Sequence, residues 1–158
     1  MAKGSEEAVR PGRALAAAVA GGLIAGTVDI VNAVLIYRAG PALVLQSIAK
    51  GVLGKAAFKG GLGAAALGAG LHAFISIVAA LIYVTAGLRA PVLLRRPILI
   101  GIPFGAGVFV VMNYVVLPLS QAAGGHKPLL QGSLDFAANC LFGVIIAVTA
   151  SRVLRAKA

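Results

Sequence analysis

Charged residues are scarce in this sequence, and acidic residues are the scarcest among them. Only 11% of the 158 residues are charged, and 4 acids stand against 14 lysines and arginines, for a formal net charge of +10. A soluble domain carries about 25% charged residues, and a nucleic-acid-binding domain keeps a polar surface around its basic residues. With a mean hydropathy of +1.01, the composition excludes a soluble globular enzyme, a disordered chain and a nucleic-acid partner.

Cysteine and histidine are almost absent as well. The single cysteine, Cys140, excludes an intrachain disulfide and a Cys-x-x-Cys motif. Of two histidines only His72 lies in an apolar segment, too few for a metal site with three or four ligands. There is no glycine-rich phosphate loop and no recognisable nucleophile–base motif. We expect no metal, no cofactor and no catalytic residue, and an enzyme is the least favoured class.

Long apolar runs are what the chain has in abundance. A helix needs about 20 apolar residues to cross a bilayer, and four segments reach that length with at most one acidic or basic residue each, His72 aside. They lack the apolar–polar alternation of a transmembrane β-barrel. We predict an all-α polytopic membrane protein, a four-transmembrane-helix bundle forming one domain over residues 1–158. The predicted spans are residues 14–37, 62–86, 97–119 and 132–151.

A further apolar segment, residues 41–58, separates the first two spans. Its leucines and valines are interspersed with polar residues such as Lys50, which favours an interfacial helix lying on the membrane. Pro41 suits the first turn of that helix. Gly51 and Gly54 interrupt it, so a short helix, a break and a re-entrant path into the second span fit equally well.

Lysines and arginines are distributed unequally between the two sides of the predicted bundle. Nine lie on the side of both termini and of the loop between the second and third spans, and five lie on the other side. Because basic residues favour the cytoplasmic side, both termini are predicted to be cytoplasmic. The basic residues of the first loop weaken that assignment and are predicted to contact lipid headgroups at the interface. They are Arg38, Lys50, Lys55 and Lys59.

Each span carries small residues and its most polar residues on one helical face. In the first span, Gly22, Gly26 and Asp29 follow one another at intervals of four and three. Close packing of small residues is a main attraction between helices in lipid, so these faces are predicted to point inward. The polar residues also share a depth, about 5–15 Å from the span ends opposite the termini at about 1.5 Å per residue. They are Asp29, Asn32, His72, Asn113, Asp135 and Asn139.

Two interpretations of this polar layer remain open. Such side chains can join helices by hydrogen bonds worth about 0.6 kcal/mol each, and Asp135 suits the first turn of its helix, where the macrodipole favours a carboxylate. Asp29 and His72 are functional candidates, because an ionised Asp within a span costs about 3 kcal/mol on insertion scales. Their similar depth allows a pair that exchanges a proton near neutral pH.

Two segments carry a resemblance to known proteins. One is LQSIA at residues 45–49, followed by Gly51, Gly54, Ala57-Phe58, Gly60-Gly61 and His72, and the other is MNYVVLPLS at residues 112–120. Over residues 21–120 the chain resembles a group of small uncharacterised four-helix inner-membrane proteins of bacteria. The resemblance implies a bacterial inner (plasma) membrane and four helices, and it implies no activity or cofactor.

Two functional hypotheses follow, both with the lipid bilayer as a partner. In the first, the polar layer binds or passes a small ligand, a lipid headgroup or a proton, which requires the polar residues to converge around a cavity. In the second, the chain is an accessory subunit that packs against a larger membrane complex or a second copy. That hypothesis requires a stripe of Gly and Ala facing lipid.

Overall fold

The computed structural model describes residues 11–122 and 128–155, which are helical and contain no strand. Four helices are long and apolar enough to cross a membrane, as predicted. Three of them extend beyond the predicted spans by one to four residues at their ends, because the helices continue into flanking segments that include basic residues such as Arg13, Arg89 and Arg155. The four are α1 (Pro11–Tyr37), α3 (Gly61–Arg89), α5 (Pro97–Leu119) and α6 (Leu129–Arg155), and the short helices are α2 (Pro41–Leu53) and α4 (Val92–Arg95).

The segment after α1 contains a short helix and a break. Pro41 occupies the first turn of α2, where its missing N–H would have no partner in any case. Gly54 ends the helix with a φ of +57°, a left-handed conformation that glycine adopts without strain, and its N–H bonds to the Lys50 carbonyl. A 3₁₀ segment, Gly54–Lys59, then leads into α3.

Both ends of the described chain lie at the same end of the molecule, which we name the basal end. Arg13 of α1 donates a hydrogen bond from Nη2 to the Val153 carbonyl of α6 at 2.7 Å. Ser151 donates to the Leu94 carbonyl of α4 at 2.7 Å. Tyr37, α2 and the start of α6 therefore lie at the opposite end, which we name the apical end.

Small residues bring the long helices into backbone contact. A methyl group added to Gly22 of α1 would lie 2.6 Å from Ile77 Cα of α3, and one added to Gly101 of α5 would lie 2.6 Å from Val144 Cα of α6. Gly68 of α3 packs in the same way on the backbone of α2. Such distances leave no room for a side chain, so the predicted inward orientation of the small faces is confirmed at these positions.

Helices α3 and α5 meet at the basal end, and α2 lies between them at the apical end. The Tyr83 and Phe104 rings pack edge to face with centroids 5.0 Å apart, within a core of buried apolar residues. Apically, Gln46 of α2 donates to the Gly61 carbonyl at 2.9 Å. Beyond α5, Gln121 donates from its backbone N–H to the Gly51 carbonyl at 3.0 Å. Helix α2 thus connects α3 to the apical end of α5.

The contact between α5 and α6 generates a first prediction. In Gly105→Ala the added methyl group would lie 2.8 Å from Cys140 Cα and closer still to the Asn139 carbonyl. Overpacking of this kind costs about 1–3 kcal/mol, so we expect a thermal unfolding midpoint several degrees lower in detergent. The control is Gly107→Ala, two residues along the same helix, where nothing lies within 4 Å. Equal midpoints for the two variants would show that this contact is not tight.

Candidate functional site

A cavity of about 840 Å³ occupies the apical half of the molecule. Five of the six polar residues predicted from the sequence line it, and α1, α3, α5 and α6 each contribute at least one of them. The sixth, Asn32, lies outside the lining, because Ala33 and Ile36 continue the lining face of α1 beyond Asp29. The five are Asp29, His72, Asn113, Asp135 and Asn139.

The cavity has a floor and a mouth. Its deepest lining residues are Ser76 of α3 and Phe142 of α6, and Phe142 belongs to the apolar core that fills the basal half. Tyr37, Ala122 and Gln131 line the apical rim. Among the described residues, the cavity is therefore closed toward the basal end by packed side chains.

His72 lies beside Asp29 and contacts the backbone of α1. Its Nε2 is 3.0 Å from the Gly26 carbonyl oxygen and 3.8 Å from Asp29 Oδ2. Because a carbonyl can only accept, Nε2 carries the hydrogen of the shorter contact, and Nδ1 is left as the other hydrogen-bonding atom of the ring. A methyl group on Gly26 would lie 3.3 Å from Nε2 and 2.7 Å from Ser76 Oγ, so glycine is needed there.

The two asparagines of the lining bond within their own helices. Asn113 Nδ2 donates to the Phe109 carbonyl at 2.9 Å, and Asn139 Nδ2 donates to the Asp135 carbonyl at 3.0 Å. These bonds do not join helices, in contrast to the interhelical interpretation. Each bond uses one N–H of the amide and leaves the second N–H and the Oδ1 carbonyl for other partners.

Asp135 joins α6 to the apical end of α1 by accepting a hydrogen bond from the Tyr37 hydroxyl. It is buried, with 9% of its surface exposed. Its interpretation as a first-turn residue is wrong, because α6 begins at Leu129 and its first turn contains no acid. The macrodipole acts mainly within the first turn.

Sequence reasoning missed Tyr37 as a cavity residue. Its position at the end of an apolar span is typical of an aromatic residue at the membrane interface.

One wall of the cavity contains a π-helical turn. Residues Met112–Val116 of α5 are π-helical, and the Leu117 N–H bonds to the Met112 carbonyl five residues earlier. Pro118 follows and has no N–H to donate to α5. Met112, Asn113 and Val116 line the cavity from this turn, and π-turns within α-helices are frequent at functional sites.

The basic residues of the first loop are separated by the fold. Lys50 lines the cavity and donates a hydrogen bond to the Ala122 carbonyl at 3.5 Å, so it lies across the mouth. Arg38, Lys55 and Lys59 are exposed and lie outside the lining. No group of three His, Cys, Asp or Glu residues within 11–122 and 128–155 could hold a metal ion.

The Tyr37–Asp135 contact generates a second prediction. Hydrogen bonds to charged groups contribute about 1.5–3 kcal/mol when fully buried, and this one is partly buried. We expect Tyr37→Phe to lower the thermal unfolding midpoint by a few degrees in detergent. Tyr114→Phe is the control, because Tyr114 is 73% exposed and lies outside the cavity. If both variants unfold at the same temperature, the contact does not hold α1 to α6.

Comparison with protein-family models, with curated proteins and with solved structures finds no match to this chain. The resemblance of residues 21–120 to four-helix bacterial inner-membrane proteins stays a prediction. Function is therefore inferred from the cavity and from the residues that line it.

Proposed function

We propose that this protein binds a small amphiphilic molecule in the apical cavity. The supporting observation is that five of the six residues predicted from the sequence as a polar layer line one cavity within a single chain. Binding cavities for small molecules typically measure about 300–1,000 Å³, and this one measures about 840 Å³. Its volume is far larger than a proton relay between Asp29 and His72 would need.

The distribution of polar groups favours an amphiphile over a fully polar ligand. Carboxyl groups and an imidazole line the cavity from α1, α3 and α6, whereas α2 and α5 contribute mainly aliphatic side chains. A ligand with a polar group and an apolar body satisfies both walls. The aliphatic lining residues of these two helices are Leu43, Val44, Ile48, Val52, Val108, Met112, Val116 and Leu117.

The closed floor favours binding over conduction. Tyr83, Phe104 and Phe142 pack in the core on the basal side of the cavity, so a ligand that enters at the mouth stops at Ser76. A carrier would additionally have to open this core. Binding requires no such movement, and it is the simpler function for this geometry.

We propose that the four long helices cross a bacterial inner membrane with both termini in the cytoplasm. The basal end carries the larger share of the basic residues, including Arg89, Arg95 and Arg96 between α3 and α5. The cavity then opens on the non-cytoplasmic side. Helix α2 lies at that interface, with exposed Lys55 and Lys59 positioned to contact lipid phosphates just beyond its end.

Cysteine labelling tests the proposed orientation. In a Cys140→Ala background, Ala56→Cys places a thiol in the apical 3₁₀ segment and Ala90→Cys places one at the basal end. We expect a membrane-impermeant maleimide added to intact cells to label only the Ala56→Cys protein. Labelling of Ala90→Cys instead would invert the orientation, and permeabilised cells provide the control for reactivity of both thiols.

Purification from cells tests ligand binding. Ala138 of α6 lines the cavity and its neighbour Ala137 does not, so Ala138→Trp should fill part of the cavity whereas Ala137→Trp should not. We expect mass spectrometry to detect a small molecule at about one per chain in the wild type and in Ala137→Trp, and at least ten-fold less in Ala138→Trp. Equal amounts in both variants, or no molecule in the wild type, would contradict the proposal.

One observation favours the second hypothesis, an accessory subunit. Gly63, Ala66 and Gly70 lie exposed on one face of α3, and the two glycines have nothing within 4 Å. A second helix could pack closely on such a stripe. The same purification decides between the hypotheses, because an accessory subunit should retain a partner protein at fixed stoichiometry in mild detergent and should contain no small molecule.

A further inference from the structure

Three side chains of the cavity lining each retain a hydrogen-bond acceptor. Asn113 and Asn139 each donate one amide N–H to their own backbone and retain Oδ1 together with the second N–H. His72 donates from Nε2 to the Gly26 carbonyl, so its neutral ring retains Nδ1 as an acceptor. A ligand with several donors can therefore bond to all three residues.

Asp29 adds a carboxyl group to this set of acceptors, and its ionised form carries the negative charge that a cation would pair with. No N–H or O–H group of the described residues donates a hydrogen bond to its carboxylate, and the 3.8 Å distance from His72 Nε2 is too long for one. Asp135 supplies a second carboxylate in the same cavity. Among the described residues of the lining, Lys50 is the basic residue besides His72, and it bonds to the Ala122 carbonyl at the mouth. A charge removed from water needs a partner, and a cation in the cavity would provide one.

Ser76 contributes no accessible polar atom to this set. Its Oγ is fully buried beside Gly26 of α1, beneath the floor of the cavity, and has no hydrogen-bond partner among the residues that the structure describes.

We infer that the cavity binds an amphiphilic amine in its protonated form. The ammonium group donates to Asp29 and to acceptors among His72 Nδ1, Asn113 Oδ1 and Asn139 Oδ1, and such charge-assisted bonds are stronger than neutral ones. The apolar body lies against the aliphatic walls of α2 and α5. This inference rests on the proposed function and adds the charge and the donor groups of the ligand.

Two matched probes test this inference, adamantan-1-amine and adamantan-1-ol, which share an apolar cage and differ in the ammonium group. Binding is measured by calorimetry at pH 7 in phosphatidylcholine nanodiscs, with empty nanodiscs subtracted. We expect the amine to bind the wild type at least ten-fold more tightly than the alcohol. In Asp29→Asn the two affinities should become equal, while the affinity for the alcohol stays unchanged and reports an intact cavity.

Two further variants make the test specific. Asn32→Ala is the matched control, because Asn32 lies on α1 close to Asp29 and outside the lining, and it should keep the wild-type preference. Asn113→Leu removes one acceptor without changing charge, and it should weaken the amine several-fold more than the alcohol. If Asp29→Asn does not fold, Asn113→Leu decides the outcome.

The outcomes separate this inference from the proposed function. Equal affinities in the wild type, or a preference for the amine that survives in Asp29→Asn, would overturn the amine assignment while ligand binding stands. If neither probe binds, the amine assignment is wrong, and the Ala138→Trp and Ala137→Trp comparison decides the proposed function separately.

An aminophospholipid is one source of such an ammonium group. Adding phosphatidylethanolamine to the nanodiscs should then weaken the amine probe by competition, whereas a free amine as the natural ligand predicts no change.

Discussion

Backbone contact at glycine residues is the constraint on which the rest of this structure depends. Lipid tails are as apolar as leucine, so helices in a membrane gain little by hiding apolar side chains and gain more from close packing. Gly22 and Gly26 bring α1 onto α3, and Gly101 and Gly105 bring α5 onto α6. These contacts lie beside the cavity, so they also fix where its polar residues sit. Gly26 contacts His72 and Ser76 directly, and Gly105 contacts the backbone of Asn139.

The cavity exists because the helices pack closely along only part of their length. Large side chains such as Tyr83, Phe104 and Phe142 fill the basal half. In the apical half α2 separates α3 from α5, and its aliphatic side chains reach the cavity without filling it. The tight contacts and the open volume therefore lie at different levels of the same helices. Alanines, glycines and a few aromatic side chains pack together basally, and α2 is inserted apically.

Much of this arrangement can be predicted from the sequence, because the strongest signals depend only on residues that are close together in the chain. Apolar runs give the four long helices, and counting residues along each helix gives the shared depth of Asp29, His72 and Asn139. Rotation about the helix axis is less well determined by the sequence, so the helical spacing groups Asn32 with residues that line the cavity, although Asn32 lies outside the lining. Contacts between distant segments leave no periodic pattern. The bonds of Gln121 to α2 and of Tyr37 to Asp135 are of this kind, and they could not be predicted.

The two nitrogens of His72 have separate roles. Nε2 donates to the Gly26 carbonyl and so ties the ring to the backbone of α1. Nδ1 takes no part in that contact. A ligand that bonds to Nδ1 would meet a ring whose orientation is already fixed by the packing of α1 on α3, so no ordering of this side chain would have to accompany binding.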